Sequence, residues 1–167
     1  MRFLLGSALA LAFGLQDVPV AVAQEAGIAV GLKAPAVAVH DLDGKLVQLD
    51  RFIGSKPVFL EFWATWCELC EELIPEVKAA RAAYGDKVEF IGINVSVNQS
   101  PNRVRSYIKT HHPAFNTLYD DEGTSIRAYQ VPSTSYVVIV DRTGKVAYTG
   151  IGGTQKFDAA LRQVSRQ

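Results

Sequence analysis

VFLEFWATWCELCEELIP, residues 58–75, changes its hydrophobic pattern halfway along. Pro57-Val58-Phe59-Leu60 opens a continuous apolar run of the kind that forms a buried strand. From Glu68 onward the apolar side chains recur as Leu69, Leu73, Val77 and Ala80, which share one face of a helix. Cys67 and Cys70 are the only cysteines in the chain, and Cys67 falls where the strand hands over to the helix N-terminus. Unpaired backbone N–H groups and the positive end of the helix dipole favour a thiolate there. Two thiols separated by two residues can close and reopen a small disulfide, and only the thiolate attacks one. A structural staple is the poorer reading, because so short a loop removes little chain entropy from the unfolded state. The pair points to thiol–disulfide exchange.

Working outward, Ala36–His40 and Leu46–Leu49 alternate around Asp41-Leu42-Asp43-Gly44, the pattern of a β-hairpin. The helix from Glu68 should run to Tyr84, kinked at Pro75, which lacks an N–H donor. Val88–Val95 reads as a second buried strand, and Ser100-Pro101 as an N-cap with proline just inside a helix reaching His111. A short strand is expected over Phe115–Tyr119 and a short helix over Asp121–Tyr129. Tyr136–Val140 is a strongly β-branched strand, and Lys145–Tyr148 pairs back on it across the turn Asp141-Arg142-Thr143-Gly144. Phe157–Val164 closes the chain as a helix. Strands alternating with helices imply an α/β sandwich with a mixed sheet.

The N-terminus carries Arg2, an apolar stretch from Phe3 to Leu15, and Ala21-Val22-Ala23 before Gln24. This is the layout of a secretory signal peptide over residues 1–23, with an apolar core too short to span a bilayer as a helix. An uncleaved anchor is the alternative. Residues 24–33 read as a flexible leader and 34–167 as the folded domain. Export would place the thiols in a periplasmic or other extracytoplasmic compartment, where disulfides persist or are managed. Seventeen basic and seventeen acidic side chains balance, so the chain has no field for gathering nucleic acid.

Residues 58–75 resemble the active-site strand and helix of thioredoxin-fold proteins. The shared features are the FWATWC entry, the Cys-x-x-Cys and a proline five residues after the second cysteine. The preceding GLKAPAVAVHDLDGKLVQLDRFIGSKPV resembles the N-terminal hairpin region of the TlpA/ResA-like extracytoplasmic branch. The resemblance runs from about Gly31 to Arg162 and implies a three-layer α/β/α sandwich with an added N-terminal hairpin. It implies Cys67 as the exposed attacking thiol, Cys70 as the buried resolving thiol, and Glu61 as a buried acid exchanging protons with Cys70. Desolvation on an otherwise apolar strand should raise the Glu61 pKa. Trp66 would shield the disulfide and offer a platform for a bound peptide, while Trp63 packs in the core.

One departure from the family stands out. The usual cis-proline position, counted back from Asp141, falls on Ser135, and Pro132 lies three residues too early. A non-proline cis bond costs roughly 2.5–4 kcal/mol, so Thr134–Ser135 is expected to be trans. Thr134 and Ser135 remain the residues that would face a substrate chain. Glu68, Glu71 and Glu72 disfavour a neighbouring thiolate, which makes a reductant the expected direction rather than a strong oxidant. The implied partners are protein disulfides and a membrane thiol electron donor, with the chain acting as a monomer and without a cofactor or metal. The alternatives are a binding module or copper(I) metallochaperone using the same thiols, and a redoxin-type peroxidase. The peroxidase is disfavoured by the adjacent second cysteine. His111-His112 reads as a helix-end pair and Arg103, Arg105 and Lys109 as a solvated helix face.

Overall fold

Ala38–His40 (β1), Leu46–Gln48 (β2), Val58–Trp63 (β3), Glu68–Tyr84 (α1), Glu89–Asn94 (β4) and Pro101–His111 (α2) form the first half of the fold. Asn116–Tyr119 (β5), Thr124–Ala128 (α3), Tyr136–Val140 (β6), Val146–Ile151 (β7) and Asp158–Val164 (α4) complete it. The structure is a computed structural model that describes residues 26–167. The expected signal peptide, residues 1–23, lies outside the described residues. All seven strands join one sheet in the order β2-β1-β5-β4-β3-β6-β7. β3, β4 and β5 are parallel, joined by the crossover helices α1 and α2, and the remaining pairings are antiparallel. The mixed sheet and the N-terminal hairpin are those expected from the sequence.

Alternation along β3 divides the core between the two faces of the sheet. Phe59 lies with Leu73 and Val77 of α1 and Leu161 and Val164 of α4. It stacks on Phe90 at 5.0 Å and meets Phe157 edge-on at 5.2 Å. Phe62, on the opposite face, packs against Tyr129 and Tyr136 beside Ile126 and Ala128 of α3. Helices therefore cover both faces. Every residue of β3 is buried, which leaves Glu61 as an acid in the central strand of the sheet.

Three expectations need correction. Residues 26–33 are no flexible leader. Ile28 is buried and donates its N–H to the Tyr129 carbonyl, Gly31 N–H donates to Val146, and Leu32 accepts from Val146. The small, mixed composition hid this because the partners lie more than a hundred residues away in sequence. Ile28→Ala should lower stability by about 2 kcal/mol, read as a lower urea midpoint with an unchanged slope. The short helix after β5 begins only at Thr124, not Asp121. Asp120 is buried and accepts the N–H groups of Thr124, Ser125 and Ile126, together with the Ser125 hydroxyl, so its carboxylate fixes the first turn. β7 also extends beyond Tyr148 to Ile151, which carries the chain to the cysteine end of the sheet beside the start of β6.

Candidate active site

Cys67 is the N-cap of α1, and its extended backbone (φ −90°, ψ 101°) turns the chain from strand into helix. Its Sγ is bonded to that of Cys70 and accepts the Cys70 backbone N–H at 3.1 Å. A thiolate released at Cys67 would keep this donor and face the helix N-terminus, both of which stabilise its charge. Cys70 lies one turn inside. Exposure separates the two sulfur-bearing residues less than expected: Cys67 is 5% exposed and Cys70 3%. The difference between them in the closed disulfide is position in the helix, not access. Glu68, Leu69, Glu71 and Glu72 are exposed. Glu71 lies beside the Tyr107 hydroxyl at 3.5 Å and His111 at 3.9 Å.

Glu61 sits between Phe59 and Trp63 in sequence and shares their face of β3, beneath α1. It is 2% exposed, and burial pushes its carboxyl up to about 8. Its neighbour across the parallel pairing is Gly92, where a Cβ would come within 2.2 Å of the Phe115 ring. Phe115 thus fills the space beside the acid and meets Trp63 at 5.6 Å. Apolar surroundings are the reason the proton is held.

The loop before Cys67 is fixed by residues that the sequence pattern did not single out. Gln99 accepts the Thr65 N–H at 3.1 Å, and Arg103 Nε donates to the Thr65 hydroxyl at 3.2 Å. Trp66 is 45% exposed with its indole N–H tied to the Val97 carbonyl at 2.8 Å. Arg103 is therefore no simple solvated residue, and the polar stretch after β4 is a brace for the cysteine loop. Arg105 likewise binds the Leu42 carbonyl and the Asp43 carboxylate of the N-terminal hairpin. Trp63 is buried in the core against Tyr107.

Opposite the cysteines, Ser135 is fully buried and its hydroxyl lies 3.2 Å from the Leu69 carbonyl, between the two cysteines. The loop ending β5–α3 and opening β6 therefore does meet the Cys-x-x-Cys turn. No peptide bond among the described residues is cis; Ser135 instead has a left-handed backbone (φ 58°). Thr134, next to it, is half-buried, and its carbonyl accepts the Ser133 hydroxyl at 3.0 Å. Among the described residues, no three His, Cys, Asp or Glu side chains gather as metal ligands. His111 stacks on Tyr107 at 3.8 Å, and His112 caps α2 with a left-handed backbone.

A Cys-x-x-Cys disulfide at the N-terminus of a helix, laid on a mixed sheet with its central strands buried, defines a thioredoxin-fold thiol–disulfide oxidoreductase. The Redoxin family model matches residues 29–164. ResA, a thiol-disulfide oxidoreductase of Bacillus thuringiensis subsp. konkukian, is 33% identical over 74% of this chain and 70% of its own length. The thioredoxin-like protein YneN of Bacillus subtilis is 31% identical over 80% of this chain and 78% of its own. A Chlorobium tepidum structure provisionally assigned as the thiol:disulfide interchange protein DsbE superposes with a TM-score of 0.68 at 27% identity, over 81% of this chain and 94% of that one. This chain belongs to the Redoxin family, in its TlpA/ResA-like branch.

Proposed function

We propose that this chain is an exported reductant of protein disulfides, with Cys67 as the attacking thiol, Cys70 as the resolving thiol and Glu61 as the proton acceptor for Cys70. The observation that supports this most is the asymmetry of the pair: Cys67 caps the helix, whereas Cys70 lies on its inner side above a strand carrying a buried acid. The Cys67 thiolate attacks one sulfur of a substrate disulfide, forming a mixed disulfide and expelling the other sulfur as a thiolate. Glu61, when ionised, takes the proton of Cys70. The Cys70 thiolate then attacks the Cys67 sulfur, closing Cys67–Cys70 and releasing the second substrate thiolate, which takes up a proton. The substrate gains two electrons and the enzyme loses two. A thiol donor, membrane-borne if the chain is exported, must restore the dithiol.

Trp66 and the Thr134–Ser135 backbone are the surfaces beside which the substrate chain would lie. The exposed glutamates near Cys67 favour the reductant direction because they do not help a thiolate. Export rests on the sequence layout of residues 1–23; among the described residues no helix is long and apolar enough to cross a membrane. The test is insulin reduction driven by dithiothreitol, together with the reduction potential of the Cys67–Cys70 couple. Turnover with a potential of about −200 mV or lower is expected. A potential near −120 mV would make the protein an oxidant instead.

A further inference from the structure

The connection after β7 reads Gly152-Gly153-Thr154-Gln155, and Gln155 is buried, an uncommon place for an amide unless its hydrogen bonds are met. Both of its N–H donors are used: Nε2 donates to the Ser135 carbonyl at 2.9 Å and to the Gly152 carbonyl at 2.8 Å. Its Oε1 lies 3.4 Å from the Tyr148 hydroxyl. The Ser135 carbonyl also accepts the Gly152 N–H at 3.1 Å, and the Ser135 hydroxyl lies within reach of both Gly152 and Leu69 carbonyls. Ser135 is thus gripped on its carbonyl by Gln155 and on its hydroxyl by the turn between the cysteines. Its left-handed backbone is one that a serine rarely adopts, so something must hold it there.

The glycines around Gln155 fit the same purpose. A Cβ at Gly150 would come within 2.6 Å of the Gln155 Oε1 and 2.3 Å of the Tyr148 hydroxyl. A Cβ at Gly153 would come within 2.3 Å of a Glu72 carboxylate oxygen on α1. Missing side chains let the amide sit under Ser135 and let the connection close against α1. We propose that Gln155 is a positioning residue for the exchange reaction: through Ser135 it fixes the Ser133–Ser135 backbone beside the Cys67–Cys70 turn in the pose that receives a protein substrate. Gln155 touches neither sulfur. Its effect falls on docking of a polypeptide and not on the chemistry of the couple. The inference rests on the reading of Thr134–Ser135 as the substrate-facing backbone.

Two variants test it by different routes. Gln155→Glu places a carboxylate, which cannot donate, against two carbonyl oxygens. Gly150→Ala keeps the amide but displaces it. For each, we would measure kcat and KM for insulin, the rate of disulfide reduction by dithiothreitol, and the reduction potential. A misplaced binding loop should raise KM for insulin by about tenfold. The dithiothreitol rate should stay within about twofold, because a small thiol needs no docking loop, and the potential should not move. An unchanged KM in either folded variant overturns the proposal. So does a parallel change in potential and dithiothreitol rate, or loss of the fold in both variants, since each makes the tie merely structural. Failure of the unsubstituted protein to act on insulin at all would instead contradict the reductase reading.

Discussion

Cys67→Ser should abolish exchange, with insulin reduction falling at least about 1,000-fold to the uncatalysed rate. Cys70→Ser should behave differently. Its remaining thiol still attacks, but nothing resolves the adduct, so a mixed disulfide with substrate should accumulate and survive on a non-reducing gel. The contrast follows from position. Cys67 Sγ accepts the Cys70 N–H at the helix N-terminus, where a thiolate is stabilised, while Cys70 faces the strand beneath. Neither serine should disturb the fold strongly, because the loop closed by the disulfide is short. A mixed disulfide trapped by the Cys67→Ser variant instead, or by both variants equally, would contradict the assigned order of attack.

Glu61→Gln should slow resolution of the mixed disulfide on the order of 100-fold while stabilising the protein. Buried among Phe59, Trp63 and Phe115, the carboxyl titrates at about 8 instead of 4.5. The folded state therefore keeps a proton that the unfolded chain has released between those values. Stability is unaffected by this group below about pH 4.5 and declines as pH rises towards 8. At pH 7 the penalty is about 3 kcal/mol, and most of it should be recovered in the glutamine variant. Urea unfolding at pH 5 and pH 7 checks this: the difference between the two proteins should widen with pH. The wild-type resolution rate should rise with pH through an inflection near 8 that the variant lacks. A glutamine variant of unchanged stability and unchanged pH profile would remove Glu61 from the reaction. A carboxylate retained at this cost is what a proton-transfer role requires.

Local patterning carried most of the fold. The apolar run of β3 and the helical spacing of Leu69, Leu73 and Val77 are one-dimensional signals, and they placed both cysteines at the strand-to-helix junction without any tertiary knowledge, whereas Glu61 was singled out through the resemblance. Ser135 was found through the resemblance, by counting back from Asp141, yet its left-handed backbone was not legible. The groups that hold its carbonyl and hydroxyl, Gln155, Gly152 and Leu69, are all remote from it in sequence. Gln155 itself sits in a glycine-rich connection whose sequence reads as an ordinary turn. Arg103 and Gln99 were similarly hidden, since a charged residue on a helix face and an amide in a loop acquire a role only when the Thr65 loop is folded against them. Ile28 shows the same limit: its partner Tyr129 is remote in sequence, and eight small or mixed residues carry no period to announce a docked segment. The low exposure of Cys67 belongs here too, because coverage of one side chain depends on the packing of several loops.

Alkylation of the reduced, folded protein tests the asymmetry of the two thiols most directly. With iodoacetamide at pH 7 and peptide mass spectrometry to locate the adduct, Cys67 should be labelled at least about tenfold faster than Cys70, as expected for the more ionised of two thiols. Labelling of neither residue, or of both at the same rate, would contradict the assignment of an attacking sulfur and a waiting one.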